Sequence, residues 1–307
     1  VTPTLLTLFA LSPVALWPWT GAPAATPAPR PPQDCDALYY GDARPKDLPG
    51  ALACYRVEEN WSMVAIMQLN GEGTPIDVAG ARATFDRMEP ADGDTMALRP
   101  ILEDREAHPN AKAKRIDFCA VVATTTPSLA YCAGRAASRV EAEDAKQLAQ
   151  LRSGIEAGAR PAFDAAVAAA EEFMAAERER VYQKWIDGTI RSQASISGEL
   201  FARANFMRRI QLLAGAGGPP PGAARRSFAA ADQQLNVDYR QDTGGNSPRD
   251  YKSASRRTQH AWIRYRDAMA KLAAARWPSR TDVADVTRAL VTEDRIAELT
   301  PGEGDIR

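Results

Sequence analysis

The 307-residue chain carries 38 Lys and Arg against 39 Asp and Glu, a net charge of −1, and is 45% hydrophobic. That balance leaves no global field to hold a polyanion, so nucleic acid is not expected as a partner. The length suits two modest domains, or one domain with helical extensions.

In chain order, residues 4–19 (LLTLFALSPVALWPWT) form an uncharged apolar run broken by Pro13 and Pro18. It is too short and too interrupted to span a bilayer comfortably as a helix, and reads as the core of a signal peptide. Ala22 and Ala24 supply the small residues for cleavage after Ala24, so residues 1–24 are expected to be removed, leaving no integral membrane span. The usual basic start is missing, since no Lys or Arg precedes Arg30, which leaves a start further upstream, or an uncleaved and anchored chain, as the alternatives. Residues 25–34 follow as a Pro-rich tether.

Residues 48–90 read as two helices joined by NGEGTP, with Trp61, Val64, Met67 and Leu69 on the first and Ala79, Ala83 and Phe85 on the second. Gly71 and Gly73 stop the first and Pro75 helps to start the second. Residues 91–115 are polar and punctuated by prolines, which predicts a connector with one short helix near Ile101–Glu106. From Ala137 to about Leu213 apolar residues recur at three and four, as in Leu148, Leu151 and Ile155, then Phe163, Val167, Ala170 and Met174. Pro161 and Gly198 are expected to divide this stretch into about three helices, within a cysteine-bearing helical domain over 116–213.

Residues 214–224 (AGAGGPPPGAA) read as a flexible linker and a domain boundary. Beyond it, helices are expected near 225–241, 251–275 and 282–299, ahead of a tail at 301–307. No segment alternates as a strand, so the expected fold class is all-α, built of helical hairpins and small bundles. A weak internal similarity relates FARANFMRRIQLL (201–213) to VTRALVTEDRIAEL (286–299), each preceded by a long helix.

Cys35, Cys54, Cys119 and Cys132 form two sequence-local pairs, which suits an oxidising compartment. Proximity along the chain favours Cys35–Cys54 and Cys119–Cys132 over the other two connectivities. Four buried thiols or a zinc site are the alternatives, although close C-x-x-C pairs are lacking. No metal or cofactor is expected. The only histidines are His108 and His260, and no G-x-S-x-G, H-E-x-x-H or P-loop occurs. No catalytic residue is therefore assigned; a carboxylate-pair hydrolase, which needs no motif, is the least favoured reading.

The succession LNVDYRQ (Leu235, Asn236, Tyr239), TQHAWIRYRDA (Gln259, Trp262, Tyr265, Arg266, Asp267) and TRALVTEDRIAEL (Thr287, Arg295, Leu299) resembles the LprI-like lysozyme-inhibitor N-terminal domain. The resemblance covers roughly 225–300. A divergent second copy over 116–213 is suggested by CAVVATTTPSLAYC (119–132), with a loose match at Phe173 and Arg178. It implies a small helical module of exported bacterial proteins and offers Gln259, Trp262, Arg266 and Asp267 as candidate binding residues. Aromatics spaced three apart on one helix more often face the core, and Trp262 is weighed chiefly that way.

Upstream, VAIMQLNGEGTPIDVAGARATF (64–85) looks like a Sel-one-like repeat, a relative of the tetratricopeptide repeat, through Gly71, Gly73, Pro75, Asp77, Ala81 and Phe85. Ala65 and Gln68 stand where that repeat has glycine and tyrosine. About one and a half repeats cover residues 35–90, fewer than a free-standing solenoid needs.

The resemblances imply a periplasmic or secreted protein that binds a protein partner, either a lysozyme occluded sterically or another envelope protein. The alternative is a structural adaptor of the envelope. Lys252, Arg256, Arg257 and Arg264 make one helix basic, which would repel the cationic lysozymes of animals. An acidic face formed by Glu171, Glu172, Glu177 and Glu179 is the expected substitute.

Overall fold

The computed structural model describes residues 34–41, 45–109, 114–215, 226–245 and 247–300. The expected signal peptide, nearly all of the tether, most of the 214–224 linker and the 301–307 tail lie outside them. Among the described residues the fold is all-α, with helix pairs packed on one another and no strand.

The N-terminal lobe holds α1 (Cys35–Tyr40), α2 (Leu48–Val57), α3 (Trp61–Asn70), α4 (Val78–Phe85), α5 (Gly93–Ala107) and a π-helical turn at Phe118–Val122. The single helix expected from residue 48 to the NGEGTP turn is two. Glu59 adopts a positive φ of 56°, and Asn60 caps α3 by accepting from the Met63 amide at 3.2 Å. The turn itself forms as the glycines predict: Gly71 closes α3 at φ 70°, and Asp77 caps α4 by accepting from the Gly80 amide at 2.8 Å. Ala81 and Phe85 then bury against Ala65, Ile66 and Leu69 of α3. Gln68 is buried as well, its Oε1 accepting from the Thr84 hydroxyl at 2.8 Å, a polar bond that joins α3 to α4.

Gly73 has φ 76°, and a Cβ there would lie 2.4 Å from the Leu48 carbonyl oxygen. Gly73→Ala is expected to cost about 2–4 kcal/mol, left-handed strain plus overpacking, read as a lowered midpoint in urea. An unchanged midpoint would contradict the close approach of this turn to α2.

Residues 91–115 contain far more helix than their polarity suggests. Asp92 caps a 15-residue α5, with Pro100 on its exposed side and Leu98 and Leu102 fully buried four residues apart. Tertiary burial of that narrow stripe outweighs a single interior proline.

α6 (Thr126–Gly154) is 29 residues, roughly 43 Å long, and begins well before Ala137. A capping box at Thr125 and Ser128 starts it, and the buried Asp94 of α5 accepts from the Thr124 amide (2.7 Å), the Thr125 amide (3.0 Å) and the Ser128 hydroxyl (2.9 Å). A carboxylate is favoured at a helix N-terminus. The first turns of α6 lie on the N-terminal lobe: Asp36 accepts from the hydroxyls of Tyr55 (2.5 Å) and Tyr131 (2.9 Å), and the Arg135 guanidinium sits 3.9 Å from the centre of the Tyr40 ring. Its second half packs on α8 through Leu148 and Leu151. α6 is thus the bridge between the lobes.

Both disulfides form as the pairing by proximity predicts, Cys35–Cys54 joining α1 to α2 and Cys119–Cys132 fastening the π turn to α6. Cys35 and Cys54 lie inside the small core of α1–α3. Replacing both with alanine is expected to cost about 3 kcal/mol, chiefly by freeing the unfolded loop, and to lower the melting temperature measured without reductant. No loss would show that aromatic packing alone holds α1 on α2.

The C-terminal lobe contains α7 (Arg160–Lys184), α8 (Arg191–Ala214), α9 (Phe228–Thr243), α10 (Arg249–Arg276) and α11 (Val283–Leu299). α7 packs along α10; α8 packs on α7 and α11 on α10; α6 packs on α8 and α9 on α11. The triplets α6–α8 and α9–α11 therefore share one pairing pattern and meet through their middle helices. Phe173 of α7 stacks on Tyr265 of α10 with centroids 5.6 Å apart, and the Thr258 hydroxyl donates to the Ala176 carbonyl at 2.8 Å.

Residues on both sides of the expected 214–224 linker share one apolar core: Phe206, Ile210 and Leu213 before it, Leu235, Trp262, Met269 and Leu299 after it. Gly198 does not break a helix as expected. It lies inside α8, where a Cβ would come within 2.7 Å of Val181, so its missing side chain lets α8 approach α7. The chain turns instead at residues 185–190.

Candidate functional site

The four residues that the resemblance offered for binding sit on α10 and work largely between helices. Trp262 is 1% exposed. The Arg266 guanidinium is held 5.1 Å from both the Trp262 and the Phe228 ring centres, and reaches Asp232 of α9 at 3.4 Å and Asp267 at 3.0 Å. Asp267 also accepts from Arg288 of α11 at 3.4 Å. Gln259 is half-buried, with its Oε1 turned inward and without a hydrogen bond. Arg266 and Asp267 tie α9, α10 and α11 together, and Gln259 and Asp267 are both half-buried.

A buried ionic network runs through the same lobe. Glu177 of α7 accepts from Arg180 at 2.6 Å and from Arg295 of α11 at 2.9 Å. Arg295 also donates to Glu298 at 2.9 Å, which accepts from Asn205 of α8 at 3.0 Å. Arg180 reaches Asp242 of α9 at 3.1 Å and the Tyr251 hydroxyl of α10 at 2.9 Å. Burial alone would raise the pKa of Glu177, but the guanidiniums of Arg295 and Arg180 overcome it and hold the carboxyl at about 2. Burial and the neighbouring Glu177 charge push Glu298 up instead, against the pull of Arg295. Two carboxylates with divergent proton affinities are a pattern of acid–base sites, yet this pair is sealed between helices. Its work is to align five helices.

Glu177 therefore leaves the acidic face on which the sequence placed it. It lies on the buried stripe Ala170, Phe173, Met174, Glu177, Val181, a spacing that could have revealed this. The other three members of that face divide: Glu172 pairs with Arg264 of α10, Glu179 accepts from Gln183 at 2.8 Å, and Glu171 approaches Arg203 of α8 at 3.3 Å. The basic residues of α10 are in part neutralised by the same arrangement, since Arg264 is answered by Glu172.

Arg203 marks a basin that the sequence did not disclose. Its side chain is 6% exposed and lies 3.9 Å from Glu141 of α6, 3.3 Å from Glu171 of α7 and 3.7 Å from Glu199 of α8. Asp144 of α6 completes the group, and Arg178 adds a second guanidinium at 3.2 Å from Glu199. Four carboxylates thus face two guanidiniums, an excess of two negative charges. Glu141 and Glu171 form an open rim, their side chains 43% and 50% exposed, over the buried Asp144 and Arg203 and the half-buried Glu199. Burial, with the charges of Glu143, Glu171 and Glu141, raises the pKa of Asp144 despite the attraction of Arg203.

Two clefts lie elsewhere on the C-terminal lobe. One, of about 780 Å³, is lined by Glu143, Gln147, Gln211 and Arg276; the other, of about 800 Å³, by Arg208, Arg209, Arg226 and Glu293. In the second, Arg208 and Arg209 are both answered by Asp294, at 2.6 and 2.7 Å, which cancels much of their attraction for an outside anion.

No family model, curated protein or solved structure matches the chain. Two disulfides indicate an oxidising setting outside the cytoplasm, and among the described residues no helix is long and apolar enough to cross a membrane.

Proposed function

We propose that the chain is a periplasmic or secreted binding protein that captures a cationic protein partner, with inhibition of an animal-type lysozyme by steric occlusion as its specific form. The observation that carries this reading is the excess of carboxylate in the basin formed by α6, α7 and α8. The residues of the LprI-like resemblance are largely spent in packing, so recognition falls on surface charge. An anionic surface suits cationic lysozymes, and a disulfide-fastened helical scaffold loses little entropy on binding.

The test is a turbidity assay of lysozyme acting on bacterial walls, with the oxidised protein titrated in. Saturable inhibition near one-to-one is expected; undiminished lysis at excess protein would reject the inhibitor reading. A structural adaptor of the envelope is the second reading, favoured by Val57 and Ile76, which stand 84% and 62% exposed in the Sel-one-like region. It predicts capture of envelope proteins with no effect on lysozyme.

A further inference from the structure

The basin around Arg203 contains an anomaly that its own salt bridges do not resolve. Asp144 is only 8% exposed, and its Oδ2 has no hydrogen-bond partner; the Nε of Arg203, itself 5% exposed, also lacks one. A buried carboxylate oxygen without a donor costs on the order of 1–3 kcal/mol, more when charged. Arg203 is shared among Glu141, Glu171 and Glu199, so one guanidinium must serve several anions. Four carboxylates against two guanidiniums leave the basin able to take up a further cation.

We propose that this basin is a socket for a single basic side chain of the partner, an arginine or lysine that enters between Glu141 and Glu171 and is held over Asp144. This rests on the reading of the chain as a binder of a cationic protein, and specifies its anchor. The rim carboxylates have the exposure needed to take the incoming donors. Asp144 and Glu199 beneath them supply the field that a fully exposed acidic pair, screened by water and salt, would not. A guanidinium has five donors in a planar fork and can bridge two carboxylates, so arginine fits better than lysine.

The socket titrates. The groups facing Asp144 are Glu141 and Glu143 from α6, Glu171 from α7, and Arg203 from α8, where Glu199 shares the same guanidinium. With its proton affinity raised by burial, Asp144 takes up a proton earlier than an ordinary aspartate as pH falls. Proton and basic side chain then compete for one carboxylate, so the socket weakens on acidification.

The experiment is calorimetric titration of the oxidised full chain, wild type, Asp144→Asn and Glu171→Gln, with two probes: an animal-type lysozyme and a capped tetra-arginine peptide. Each variant is expected to bind both probes at least about tenfold more weakly, with an undiminished melting temperature. Wild-type affinity is expected to fall between about pH 7 and about pH 4, and that of Asp144→Asn to fall less. If the peptide binds and is lost in the variants while lysozyme does not bind, the socket stands and the lysozyme reading fails. If lysozyme binds wild type and both variants alike, the lysozyme reading stands and the socket is overturned. If neither probe binds, the socket is overturned.

Discussion

Glu177→Leu is expected to lower the free energy of unfolding by about 3–5 kcal/mol, the usual penalty for removing one partner of a buried charge network. Arg180 would retain Asp242 and Arg295 would retain Glu298, but both guanidiniums would lose their shared anion at a site 2% exposed. Replacing Arg295 by methionine and Glu298 by glutamine in the same chain is expected to recover part of the loss, because no buried charge is then left without a counterion. Denaturation in urea reads both effects. A loss below about 1 kcal/mol would show that the network is solvated and contributes as little as surface pairs do.

The same network sets a pH dependence with two opposing limbs. Glu177 is held at about 2, below the ordinary 4.5, so its contribution is fully present above the unfolded value and is lost as pH falls towards 2. Glu298 is raised, so its penalty is present at neutral pH and is relieved as pH falls through its folded value. Wild type is therefore expected to hold or gain stability on mild acidification and lose it below about pH 4.5. In Glu177→Leu the part of the acid limb due to Glu177 should disappear.

Trp262→Ala is the second large effect, about 3–5 kcal/mol, because the ring is fully buried and carries the Arg266 guanidinium on its face. Asp267→Ala, at a side chain 39% exposed, is expected to cost less than about 1 kcal/mol. Urea midpoints of the two variants separate a packing role from a recognition role. If Trp262→Ala kept its midpoint and lost partner affinity, Trp262 would be a contact residue and α10 the binding helix.

What the sequence discloses follows from how local each determinant is. The bounds of α9, α10 and α11 are legible to within a few residues because each carries a continuous apolar stripe, and both disulfides are legible because their cysteines are close in the chain. α5 is hidden because polar residues surround its two buried leucines and Pro100 imitates a break. Gly198 misleads because a glycine that lets helices approach and one that ends a helix look alike in sequence. The basin is the least legible feature: Asp144, Glu171 and Arg203 come from three helices, and nothing in the neighbours of each points to the others. Glu177 is the intermediate case, misplaced by its acidic surroundings but recoverable from its register with Phe173 and Val181.

The measurement that bears most directly on the account is a calorimetric titration of animal-type lysozyme into the oxidised protein at low and at physiological salt. Saturable binding near one-to-one that weakens as salt rises is expected, since an anionic basin recognises a cationic partner. Absence of binding at low salt, or binding of equal strength at both salt concentrations, would contradict it.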